Sequence, residues 1–137
     1  MAPRQHKAVR QLLWNVQQLH LGDCIGADAE AYEEAVRLGI KTVGHPPDNA
    51  SKRAFCEYDE ERPPKPYLAR NRDIVMEGID GLIAAPKEFV EVLRSGTWAT
   101  VRYARKAGRR IWIVMPDGTI KEESNGTASL RLRRGIT

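Results

Sequence analysis

GDCIGADAEA, residues 22–31, stands between a short apolar run at residues 18–21 and a helical pattern that continues to Leu38. Gly22 and Gly26 let the backbone approach a neighbour closely, because neither carries a Cβ. The helix that follows presents unpaired N–H groups and a positive dipole end. A strand, a small-residue turn and a helix start form a cradle for an anionic group. The design recurs at RSGTWAT, residues 94–100, where Ser95 and Thr97 add hydroxyls beside another helix start. Two such turns in one short chain point to a ligand site beyond the carboxyl ends of parallel strands.

Working outward from these turns, the pattern alternates between helix and strand. Pro3 suits a first helical position, and Val9, Leu12, Leu13, Val16 and Leu19 recur at helical spacing, which predicts a helix of about four turns. Residues 18–21 either end that helix or form a brief strand. A second helix covers residues 27–38 and stops at Gly39, and residues 41–44 read as a strand closed by His45, Pro46 and Pro47. Five prolines between 46 and 66 mark a long loop. A helix from Tyr67 to about Met76, a strand at 81–85, the turn 95–97 with a helix after it to Ala107, and a strand at 110–115 complete the series. Short connections between alternating strands and helices predict an α/β domain, a parallel sheet covered on both faces.

Bulk properties restrict the function classes. The 137 residues fit one domain, and 42% hydrophobic with 29% charged residues describe an ordinary globular composition. No apolar run approaches the roughly 20 residues of a membrane helix, and no charged-then-apolar leader opens the chain, so the expected location is cytoplasmic. Cys24 and Cys56 are too far apart in sequence for a CxxC or a Cys/His cluster, so neither a zinc site nor a disulfide is expected. No cofactor signature and no metal-ligand set is legible. The sequons at Asn49 and Asn125 have no consequence without a secretory signal. The formal charge is +4, and residues 121–137 hold four basic residues (Lys121, Arg131, Arg133, Arg134) against Glu122 and Glu123. These residues read as a polar basic tail outside a domain of residues 1–120. Such a tail is either a solvated terminus or a contact for a nucleic-acid backbone.

Each candidate residue has a structural role beside its functional one. Ser95 or Thr97 would serve equally as a helix N-cap. Asp23 and Asp28 repel phosphate, and suit a ribose hydroxyl, a base N–H, catalysis or capping. In LARNRDIV, residues 68–75, Arg70 and Arg72 point to nearly opposite sides of a helix, so one at most serves the ligand; Arg70 is favoured. His45, at a strand end, is a candidate catalytic group, and His6 and His20 read as helix-surface or helix-end residues. Trp98 and Trp112 fit core positions better than base-stacking platforms. The stripe Arg102, Arg105, Lys106, Arg109 and Arg110 is a solvated helix face or a contact for single-stranded DNA.

The strings GDCIGADAEA, HPP (45–47), RAFC (53–56), YLARNRDIV, LIAAP and RSGTWATVRYARKAG, taken in order, resemble the SLOG superfamily, which joins DprA/Smf-like proteins and the lonely-guy phosphoribohydrolases. The resemblance covers about residues 3–119, and is nearest to small bacterial and phage members without an assigned activity. It implies a Rossmann-like fold, a site for a nucleotide or nucleotide-derived ligand, and homo-oligomers. It would place Gly22, Asp23, Gly26, Asp28, Arg70, Asn71, Ser95, Gly96, Thr97 and Thr100 around that site. Two departures bear on function. Where lonely-guy enzymes carry a glutamate after their GT pair, this chain has Thr100, which cannot act as a carboxylate; Asp28 and Asp23 are then the catalytic candidates. SLOG chains also open with a strand and a GTR-like turn. This chain begins where the first helix would, so a central strand is expected to be missing, leaving a gapped sheet or one completed by another chain. Ligand binding or sensing is the first functional reading, N-glycoside hydrolysis or transfer the second, and DprA-like DNA binding the third.

Overall fold

A computed structural model describes residues 1–78, 80–123 and 133–136. In chain order the elements are helix α1 (Pro3–Leu13), strand β1 (Gln18–Leu21), α2 (Ala27–Arg37), β2 (Lys41–Gly44), β3 (Glu60–Glu61), α3 (Tyr67–Glu77), β4 (Gly81–Ala84), α4 (Gly96–Lys106), β5 (Ile111–Val114), β6 (Ile120–Glu123) and β7 (Arg133–Ile136). The strands form one sheet in the order β3-β2-β1-β7-β4-β5-β6. All neighbours run parallel except β5 and β6, which pair antiparallel.

Burial explains why these segments are strands and helices. In β1, Leu19 and Leu21 are fully buried against Ala8, Val9 and Leu13 of α1 and Ala31 and Ala35 of α2. The interior strands β4 and β5 are apolar at every position because both their faces are covered. Ile83, Trp112 and Val114 pack on the α1/α2 side, while Leu82, Ala84, Ile111 and Ile113 meet Val75 of α3 and Trp98, Val101 and Ala104 of α4. Each large aliphatic side chain so buried contributes on the order of 1.5–3 kcal/mol relative to exposure. This is a Rossmann-like α/β fold.

Two sequence-based expectations need correction. Helix α1 ends at Leu13 and does not run on to Leu19, because Asn15 takes a left-handed backbone (φ 73°) that breaks the helix before β1. Leu19 and Leu21 therefore belong to a period of two, not 3.6. The larger correction concerns the expected gap. The last strand in sequence, β7, occupies the centre of the sheet, with His20 opposite Gly135 on one side and Leu82 opposite the same residue on the other. The segment read as a basic tail thus contains the central strand and, from Lys121 on, the antiparallel edge strand β6. Arg131 and Asn125, also part of that reading, lie outside the described residues.

Candidate functional site

The loops after β1 and before α4 share one cleft. Its walls include Cys24, Ile25, Ala27 and Asp28 from the first loop and helix, Tyr67, Arg70 and Asn71 from α3, and Ser95, Gly96 and Thr97 at the start of α4. Lys52, Ala85, Lys87 and Glu88 complete a space of about 550 Å³. That volume lies within the range of small-molecule sites. Other grooves exist. One of about 520 Å³, lined by Leu13, Trp14, Asn15, Val16, Gln17, Leu38 and Ile40, carries no charged side chain.

Gly22 sits where the first loop meets α3. A Cβ on it would lie 2.5 Å from Arg70 Nη1 and 2.9 Å from Asp28 Oδ2, so only glycine fits between these two side chains. Arg70 Nη1 donates to the carbonyl oxygens of Gly22 and His45 and to Cys24 Sγ, which ties α3 to the ends of β1 and β2. Gly26 then adopts φ 105° as the residue before α2, a conformation that disfavours any side chain. Gly26 has no side chain to cap α2, so the first N–H groups of the helix receive no bond from their N-cap residue. At α4, by contrast, Ser95 Oγ accepts from the Trp98 amide at 3.3 Å, so Ser95 caps the helix and lines the cleft at once.

Asp28 and Asn71, which line the cleft, each carry an unusual buried oxygen. Asp28 Oδ2 accepts from the Cys24 amide at 3.1 Å, but Asp28 Oδ1 and Asn71 Oδ1 are buried without a hydrogen-bond partner among the described residues. Orphaned buried acceptors are rare, and each carries a desolvation penalty that a ligand donor would relieve. Burial also pushes the Asp28 carboxyl well above the usual range, although Arg70 and the Cys24 and Gly22 amides pull it down. The Cys24 thiol is raised too, by burial and then by Asp28, which makes it a poor nucleophile.

Of the residues singled out from sequence, Asp28, Arg70, Asn71, Ser95, Gly96 and Thr97 line this cleft, and Gly22 and Gly26 shape its first loop. Asp23 and Thr100 do not line it. Asp23 is fully buried, at φ 55°, and its carboxylate accepts from Arg53 Nε (2.8 Å), Tyr58 Oη (2.8 Å) and the Cys56 amide (3.1 Å). It anchors the long loop. Burial and the bond to Asp23 keep the Tyr58 phenol protonated. Thr100 is buried in α4, where its hydroxyl donates to the Gly96 carbonyl at 2.8 Å. Arg72 stacks over the Tyr103 ring (4.9 Å), away from the cleft. Trp98 and Trp112 are core residues. His45 is buried, and burial moves its imidazole down to about 4 against the opposing pull of Glu77.

Lys52, Tyr67, Lys87 and Glu88 were not singled out from sequence. Lys52 ends a short 3-10 turn (Ala50–Lys52), Lys87 and Glu88 lie in an irregular segment and Tyr67 at a helix start, where charged and aromatic residues are ordinary surface choices. Only the fold brings them to the cleft. The basic stripe on α4 is largely occupied by acidic partners. Arg105 pairs with Glu91 (2.7 Å) and Glu123 (2.9 Å), Arg102 with Glu91 (3.1 Å) and Arg110 with Glu122 (2.6 Å), while Arg109 donates to the Val75 carbonyl. Among the described residues no helix is long and apolar enough to cross a membrane.

No family model matches the chain, and no curated protein matches it. A crystal structure from Syntrophus aciditrophicus SB, provisionally named as a molybdenum carrier protein, is similar in fold, with a TM-score of 0.61 and 22% sequence identity over 74% of this chain. The likeness spans 65% of that protein, just under two thirds of its length, and at this identity it shows a common fold alone.

Proposed function

We propose that this chain binds a nucleotide or nucleotide-derived ligand in the cleft between the Gly22 loop and the start of α4, as a SLOG-like module. The observation that carries the reading is the pair of unpartnered buried acceptors, Asp28 Oδ1 and Asn71 Oδ1, on two residues that line a cleft together with Lys52 and Lys87. The acceptors call for O–H or N–H donors, as on a ribose or a base. The lysines, the uncapped start of α2 and the Thr97 hydroxyl suit a phosphate. Tyr67, half exposed at the start of α3, offers a ring face for a base. A single ligand that carries both donors and phosphate satisfies both sets at once.

A second reading has its own support in Asp28. Its burial-raised pKa suits a general acid, which would pass its proton to the departing base as the glycosidic C–N bond breaks and water adds at the anomeric carbon. The test is a calorimetric titration with nucleoside phosphates, ADP-ribose and the matching unphosphorylated nucleosides, with chromatography of the mixtures afterwards. Binding that is at least tenfold tighter with phosphate supports the proposal, and released base promotes the second reading. Absence of binding by every compound contradicts both.

A further inference from the structure

Behind the cleft lies a second polar cluster. Leu19 and Leu21 of β1 face α1 and α2, so His20 between them faces the side of the sheet that α3 covers. There its Nδ1 lies 2.9 Å from Nε2 of His45, at the end of β2, and both rings are buried. Glu77 closes the last turn of α3 over them, with Oε2 at 3.6 Å from His45 Nε2. One nitrogen from each ring and one Glu77 oxygen all lie within 4.8 Å of one another.

We propose that His20, His45 and Glu77 bind a divalent transition-metal ion, with Zn²⁺ or Fe²⁺ as the natural class. Tetrahedral bonds of roughly 2.0–2.1 Å place neighbouring ligand atoms about 3.3 Å apart. The separations of 2.9 and 3.6 Å fall on either side of that value and the His20–Glu77 pair lies within 4.8 Å, so the three side chains need only close around an ion to ligate it. Two imidazoles and one carboxylate select zinc or ferrous iron over calcium and magnesium, which prefer oxygen shells. The other Glu77 oxygen, Oε1, accepts from Arg62 Nε (3.1 Å) and Nη2 (2.9 Å), which orients the carboxylate as an outer-shell partner does. Arg62 also contacts Glu60, which offsets its charge near a cation. On binding, the ring that donates the hydrogen bond between His20 and His45 carries its proton on its other nitrogen instead, exchanged through solvent, so that both facing nitrogens present lone pairs to the ion. Three protein ligands leave a coordination position for water. Glu77 is half exposed, so an ion has a path in from solvent.

The site is independent of whatever occupies the cleft, although the two meet at His45, whose carbonyl accepts from Arg70. Sequence spacing could not reveal it, because the two histidines are 25 positions apart and meet only when β1 pairs with β2.

The experiment is titration of the chelator-treated full chain with Co²⁺ and Zn²⁺, following the visible absorption of bound cobalt and the metal content after dialysis. The expected result is one ion per chain, with a low-coordinate cobalt spectrum. Glu77→Gln keeps an acceptor for Arg62 at a half-exposed position, so it should fold normally, shown by circular dichroism, yet bind at least tenfold more weakly. His20→Ala should abolish the cobalt spectrum, whereas His6→Ala and Cys56→Ser should leave it unchanged. Wild-type protein that binds no ion overturns the proposal. So does binding that survives in Glu77→Gln at full affinity, or binding lost on replacing His6 or Cys56.

Discussion

Arg70, on α3, donates to the carbonyl oxygen of Gly22, 48 positions earlier in the chain. This contact joins the two halves of the candidate site before any ligand arrives. It fixes the turn after β1, and it places the guanidinium where a side chain on residue 22 would otherwise stand. Cleft shape and fold stability therefore depend on the same few atoms.

Gly22→Ala should cost about 1–3 kcal/mol of stability, the usual range for forcing atoms into a packed site. The added methyl meets Arg70 and Asp28, both buried and both hydrogen-bonded, so neither can withdraw cheaply. Gly96→Ala is the control, because a Cβ there finds only the Tyr67 ring, at 3.4 Å. Urea unfolding of the two variants should show a clear drop in midpoint for the first and little change for the second. Equal midpoints would mean that Gly22 is not a packing constraint.

Asp28 should give stability a recognisable pH signature. Burial raises its folded pKa, against the pull of Arg70 and the backbone amides. A carboxyl raised on folding favours the folded state most at acid pH, below its unfolded pKa. That contribution is lost as pH rises through the folded value. Asp28→Asn has no such titration. Relative to wild type, the variant should gain stability between acid and neutral pH and match it at the acid end. Ligand affinity should change by only a few fold, since an amide oxygen replaces the acceptor, and any release of base should cease. A stability difference that does not vary with pH would contradict this account of Asp28.

Much of the fold is legible in the sequence because its core segments are strongly patterned. The runs that became β4 and β5 are apolar throughout, and Gly26, Gly39 and Ser95 mark helix ends by local chemistry. The cleft was legible where loops carried small residues, at Gly22, Gly26 and residues 95–97. It was not legible at Lys52 and Lys87, whose position comes from long-range packing. Asp23 illustrates the opposite case. A carboxylate beside a glycine turn suggests chemistry, yet its partners Arg53 and Tyr58, 30 and 35 positions away, give it an anchoring task. Strand β7 escaped notice for a compositional reason. Central parallel strands are usually apolar, and RRGI carries two charges in four residues.

Removal of residues 124–137 should therefore disrupt the whole domain. It leaves β1 and β4 with facing edges unpaired, from Gln18 to Leu21 and from Gly81 to Ile83. Each unpaired buried group costs about 1–3 kcal/mol, and several together rival a total stability of about 5–15 kcal/mol. The shortened chain should lose its near-ultraviolet circular dichroism and its cooperative urea transition. A synthetic peptide of residues 124–137 should restore part of both. An unchanged transition in the shortened chain would remove β7 from the core of the fold.

The central claim is that a phosphate-bearing nucleotide occupies the cleft between the first loop and α4. The most direct measurement is amide chemical-shift mapping by nuclear magnetic resonance as a nucleoside phosphate is titrated into the labelled chain. The account predicts saturable shifts concentrated at residues 22–28, 67–71 and 95–97, with Lys52 and Lys87 at the margin of the affected region. Shifts confined to the groove around Trp14 and Ile40, or an unchanged spectrum at saturating nucleotide, would contradict it.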